Sequence, residues 1–127
     1  MREREERDRE RERERELQRG KDGSRGLEIK GWNRHKRMTL NLVVPKGEAT
    51  FVIYDDREGS RSNGSFFTVG LSSSNYQRLT VPPGLWIAFK GNGKKTNLIL
   101  NVANMEHDSN ELDRLDLDQI DYDWESV

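Results

Sequence analysis

Seven side chains with chemical potential crowd into positions 30–37: Lys30, Trp32, Asn33, Arg34, His35, Lys36 and Arg37. On an extended backbone, side chains alternate. Lys30, Trp32, Arg34 and Lys36 then share one face, and Asn33, His35 and Arg37 the other. Cations beside an indole suit a nucleotide, the cations on its phosphates and the aromatic ring on its base. An edge strand charged to resist aggregation would read the same way. His35 and His107 are the chain's two histidines, and histidine exchanges protons near neutral pH. A second cluster, Tyr54-Asp55-Asp56-Arg57-Glu58-Gly59-Ser60, sets Asp55 and Arg57 two residues apart at a strand end. Such a pair can close an internal ion pair or hold a catalytic group in place. In a third, Pro82-Pro83-Gly84 fixes a turn ahead of the apolar run Leu85-Trp86-Ile87-Ala88-Phe89, where core packing favours Trp86 and Phe89.

Other chemistries are poorly supplied. With no cysteine there is no disulfide, thiolate ligand or cysteine nucleophile. The two histidines lie far apart and no metal site is expected. No glycine-rich phosphate loop ending in Lys-Ser/Thr is present.

The formal net charge of −1 is distributed unevenly. Met1–Arg19 holds eight arginines and eight acidic residues. The stretch from 20 to 104 carries 13 basic and six acidic residues, and 105 to 127 carries nine acidic residues against one arginine. A basic central segment favours an anionic ligand. Residues 1–25 read as a charged Arg/Glu-rich tail and linker, either a solvated helix over about 2–18 or disorder. Binding to nucleic acid would be a separate use of this tail and is not the expected partnership. No apolar run approaches the roughly 18 residues that span a bilayer, and no apolar signal opens the chain. A cytoplasmic protein is the expectation.

Residues 26–127 read as one all-β domain. Runs rich in Val, Ile, Thr and Phe predict strands at Leu27–Lys30, Thr39–Val44, Ala49–Asp55, Ser65–Leu71, Gln77–Val81, Leu85–Phe89 and Asn97–Val102. Alternation assigns Phe51 and Ile53, and Leu98, Leu100 and Val102, to buried faces. A short helix is expected near Ser109–Leu115. The segment from Glu111 to Trp124 could dock on the outside of a sheet.

In order and spacing, Lys30-Gly31-Trp32-Asn33-Arg34-His35-Lys36, Asp55-Asp56-Arg57-Glu58-Gly59-Ser60 and Tyr76 to Trp86 with Phe89 resemble the dTDP-4-dehydrorhamnose 3,5-epimerase family. Glu111 and the Ile120-Asp121-Tyr122-Asp123-Trp124 ending also fit. The resemblance implies a cupin-type double-stranded β-helix (jelly roll) barrel, usually a homodimer. It implies a cofactor-free isomerase that removes and returns a proton beside the 4-keto group of a nucleotide-linked deoxysugar. Asp55 and Arg57 match the family's Asp-x-Arg, and Lys30 replaces a substrate-binding arginine. Asn33 and Ile87 stand where the family carries histidines. His35 and His107 are then the candidate proton carriers with Asp55. Lys30, Trp32, Asn33, Arg34, Lys36, Arg57 and Trp86 are the candidate substrate-binding set. The alternative is a catalytically impaired cupin that binds a nucleotide sugar or serves a structural role. The Arg/Glu run lies where the family's first strands would be, so the barrel is expected to be divergent or shortened there.

Overall fold

The computed structural model describes residues 29–92 and 96–127, and the expected tail and linker lie outside them. Eight strands follow one another: β1 (Ile29–His35), β2 (Leu40–Lys46), β3 (Glu48–Tyr54), β4 (Phe66–Ser72), β5 (Leu79–Val81), β6 (Trp86–Gly91), β7 (Leu98–Asn101) and β8 (Leu112–Leu115). They build two antiparallel sheets, a five-stranded one in the order β4-β3-β6-β1-β8 and a three-stranded one in the order β5-β2-β7. This is an all-β cupin jelly roll. Among the described residues no helix is long and apolar enough to cross a membrane.

Pleating explains the core. On β2, Leu40, Leu42 and Val44 alternate inward and meet Phe51, Ile53, Ile87, Phe89 and Ile99 between the sheets. Residues 49–53 of β3 are buried without a break, because this strand is covered on both faces. Its outer face, with that of β6, lies under the C-terminal segment. There Trp32, Val52, Trp86, Ala88 and Ile120 form a second cluster, with Tyr54, Phe66, Tyr122 and Trp124 packed against it. The expected docking of the acidic C-terminal segment is therefore present. Tyr122 also hydrogen-bonds Thr68 of β4 at 2.9 Å. Gly47 makes the corner between the sheets at φ 81°, a conformation other residues rarely adopt.

Several expectations need correction. The inward residues of β7 are Ile99 and Asn101, followed by Ala103, while Leu98, Leu100 and Val102 are half-buried. Leucine fits a partly covered face as well as a core, so composition alone chose the wrong phase. The helix expected near Ser109–Leu115 is one 3-10 turn, Ser109–Glu111, followed by β8. Four residues there pair with β1, and that ladder outweighs local helix preference. The first strand runs through the cationic cluster to His35 rather than stopping at Lys30.

The faces of β1 also differ from simple alternation. Lys30 pairs with Phe89 and Asn33 with Ile87, so three steps on β1 oppose two on β6. This is a β-bulge at Gly31-Trp32. It puts Lys30 and Asn33 on the inner face with Phe89 and Ile87, and leaves Trp32 and Arg34 on the outer face. Lys30, Trp32, Arg34 and Lys36 thus do not form one face.

Candidate functional site

The inner face of β1 opens on a cleft of about 660 Å³. Lys30, Asn33 and His35 line it from β1, and Ile87 and Phe89 from β6. Leu40 and Leu42 form its apolar floor, and Arg114, Asp116 and Gln119 its far wall. Arg114 reaches this wall by register, since it pairs with Asn33 across β1 and β8. Its side chain makes no hydrogen bond or ion pair with any other described residue. The cleft combines an apolar surface with two cations, one carboxylate, two amides and an imidazole, a mixture suited to a polar organic ligand with an anionic group.

His35 is held from behind. Its Nδ1 meets Oε1 of Glu111, which is 2% exposed. The other oxygen, Oε2, accepts from the backbone N–H groups of Lys36, Arg37 and Met38 at 3.1, 3.0 and 3.1 Å. Burial pushes the Glu111 carboxyl up, but the His35 contact and the backbone donors together outweigh it and hold the group below its ordinary value. Nε2 of His35 has no hydrogen-bond partner among the described residues, and the ring lines the cleft.

Asp55 and Arg57 do form the internal ion pair. Arg57 Nε and Nη2 meet the two Asp55 oxygens at 2.9 Å each, a fork-to-fork contact. Ser60 Oγ donates to the same carboxylate at 2.6 Å, Ser62 Oγ adds a bond, and so does the Arg57 backbone N–H. Arg57 first, then the two serines, hold the Asp55 carboxyl well below the usual range. This knot closes the β3–β4 loop, and neither residue lines the cleft.

The remaining candidates face elsewhere. Trp32 is fully buried on the outer face, with Nε1 directed to Leu117 O at 3.4 Å. Trp86 is buried there too and donates to Asp56 at 2.9 Å. The Arg34 guanidinium lies 4.5 Å above the Trp86 ring and is paired with Asp113 at 2.9 Å. Lys36 contacts Asp113 as well. His107 is exposed and does not line the cleft. The structure therefore brings Lys30, Trp32, Asn33 and His35 together along the cleft, Trp32 with its indole packed on the outer face, and leaves Arg34, Lys36, Arg57, Trp86, Asp55 and His107 outside it. Arg114 and Gln119 were not singled out, because nothing local reveals that β8 pairs with β1. Among the described residues no three His, Asp or Glu side chains gather as metal ligands.

Known proteins place this architecture. A crystal structure of a dTDP sugar isomerase from Desulfovibrio desulfuricans superposes with a TM-score of 0.75 at 33% identity, over 79% of this chain and 66% of that one. A probable low-salt glycan biosynthesis epimerase of Haloferax volcanii, Agl13, is 33% identical over 96 residues, 75% of this chain and 60% of that protein. The chain is thus similar to a dTDP sugar isomerase and to a glycan biosynthesis epimerase. It spans about three-fifths of the curated Haloferax relative it matches. The epimerase-family fold also appears in the Bacillus anthracis dTDP-4-dehydrorhamnose 3,5-epimerase solved with TDP and pyrophosphate bound. That chain shows a TM-score of 0.65 over 72% of this chain and 54% of its own, with 20% identity, a likeness of fold. No family model matches this chain.

Proposed function

We propose that this chain is a cofactor-independent isomerase of nucleotide-linked keto sugars, acting like a carbohydrate 3,5-epimerase. The observation that carries the reading is His35, held at Nδ1 by a buried carboxylate, with its ring lining a cleft that also holds Lys30 and Arg114. A hydrogen on the carbon beside a ketone is acidic because the resulting carbanion delocalises onto oxygen as an enolate. His35 is the base that takes it, and the carbon is inverted when a proton from water returns on the opposite face. Asn33, next to His35 on the same wall, is placed to donate to the enolate oxygen. Lys30 and Arg114 bind the diphosphate, and Leu40, Leu42 and Phe89 take the apolar side of the sugar or base. Arg57 and Asp55 shape the neighbouring loop. The ligands named for the relatives, TDP among them, support a dTDP sugar as substrate.

The decisive measurement is deuterium uptake from heavy water at sugar C3 or C5, with dTDP-4-keto-6-deoxyglucose as substrate. Uptake that His35→Gln removes is expected. Calorimetric binding with no uptake in the folded protein would instead establish the second reading, a nucleotide-sugar binder without catalysis. The Asn33→His variant then tests whether a base restores exchange.

A homodimer is part of the proposal. Its support is the family's habit together with Phe67, which is 51% exposed on the inner side of the edge strand β4. The division into a tail, 1–25, and a folded domain, 26–127, is likewise proposed, and limited proteolysis yielding a stable fragment from about residue 26 checks it. Nucleotide sugars form where nucleoside triphosphates are made, which supports a cytoplasmic location.

A further inference from the structure

Glu111 is a charged side chain at 2% exposure, and its two oxygens are divided between different tasks. Oε2 gathers three consecutive N–H groups of the turn joining β1 to β2, and the Lys36 N–H also meets the Glu111 carbonyl at 2.7 Å. Against burial, the His35 contact and these donors together hold the carboxyl below its ordinary value, so it is ionised at neutral pH. An ionised carboxylate is an acceptor at both oxygens, so the atom facing Oε1 must bring the hydrogen. That atom is Nδ1 of His35. In the neutral ring the hydrogen on Nδ1 leaves a lone pair on Nε2, the nitrogen without a partner among the described residues.

We infer that Glu111 is a positioning residue for proton transfer, setting the His35 tautomer so that the Nε2 lone pair meets the substrate. This rests on the proposed isomerase reading. During turnover the substrate C–H bond breaks, its electron pair enters the enolate, and its proton goes to Nε2. The resulting imidazolium sits beside the Glu111 carboxylate. The enolate carbon takes a proton from water on its opposite face, which inverts it, and Nε2 gives its proton back to solvent, so protons balance. The same carboxylate ties the β1–β2 turn through Oε2, which fixes the position of Oε1 that holds the ring.

The test uses Glu111→Gln in the full chain. The glutamine Oε1 can still accept the turn's N–H groups, which turns its amide NH2 toward Nδ1 of His35. Nδ1 must then accept, and the hydrogen moves to Nε2. With histidine-selective 15N labelling, and His107→Asn to assign the signals, the unsubstituted chain at pH 8 is expected to show hydrogen on Nδ1 of His35, and Glu111→Gln on Nε2. In the deuterium-exchange assay kcat is expected to fall about 100- to 10,000-fold, with KM within about threefold. An unprotonated Nδ1 in the unsubstituted chain, or kcat unchanged in a folded Glu111→Gln variant, would overturn the inference. The tautomer of the unsubstituted protein decides the matter if the variant fails to fold. It also separates this inference from the proposed activity, since the spectrum needs no turnover.

Discussion

At the scale of single residues, function concentrates in a few side chains on one wall. His35→Gln should lower isotope exchange by about 100- to 10,000-fold, because a general base is lost while a donor to Glu111 remains. Activity and the thermal transition, measured on the same sample, distinguish lost chemistry from lost folding. Arg114→Ala should weaken dTDP-sugar binding by roughly tenfold with little effect on unfolding, since a charge-assisted contact is removed from an exposed side chain. Calorimetry at two salt concentrations checks both the size and the electrostatic origin. His35 and Lys30 could be picked from sequence because their side chains are chemically distinctive within a short span. Glu111 had a place in the family pattern but no visible task. Its partner His35 lies 76 positions away, and three of its hydrogen bonds are to backbone, which leaves no trace in residue type.

At the scale of elements, turns and knots hold the site's frame. A Cβ on Gly47 would lie 2.3 Å from Asn97 Oδ1, the atom that accepts from the Glu48 N–H at 2.9 Å. Gly47→Ala should therefore cost more than the roughly 1–3 kcal/mol of left-handed strain alone, read as a lower denaturant midpoint. Strands β2 and β3 were legible because alternation and β-branched residues agree there with one buried face or two. β8 was not legible, since Leu112-Asp113-Arg114-Leu115 is compatible with a helix end and becomes a strand through β1. The bulge was also hidden. Gly31 permits it, but the extra residue is defined by β6 opposite, a partner more than fifty positions away.

At the scale of the whole molecule, burial and charge act together. The Asp55, Glu111 and Asp113 carboxyls are all held below their ordinary values of 3.8, 4.5 and 3.8. The unfolded chain therefore takes up protons that the folded one refuses, and acid favours unfolding. Stability from these groups is complete above the ordinary carboxylate range and is lost as pH falls toward their folded values. A urea midpoint that is level from pH 6 to 8 and declines below about pH 4 is expected, with a shallower decline in Asp55→Asn. The aromatic cover of the outer sheet, with Tyr122 and Trp124 edge to face at 5.0 Å between ring centroids, explains how an acidic C-terminal segment still packs tightly. Its apolar residues recur between carboxylates, and that much the sequence displayed.

The bulge at Gly31-Trp32 has a genetic consequence. Loss of the codon for residue 31 would remove the bulge and leave two steps on β1 opposite two on β6, so regular alternation would keep Lys30, Asn33 and His35 on the cleft face. Loss of the codon for residue 34 has no bulge to absorb it and would turn Asn33 and His35 to opposite faces with both residues intact. In a mutational scan of this strand, deletion at position 34 should therefore be far more damaging to isotope exchange than deletion at position 31.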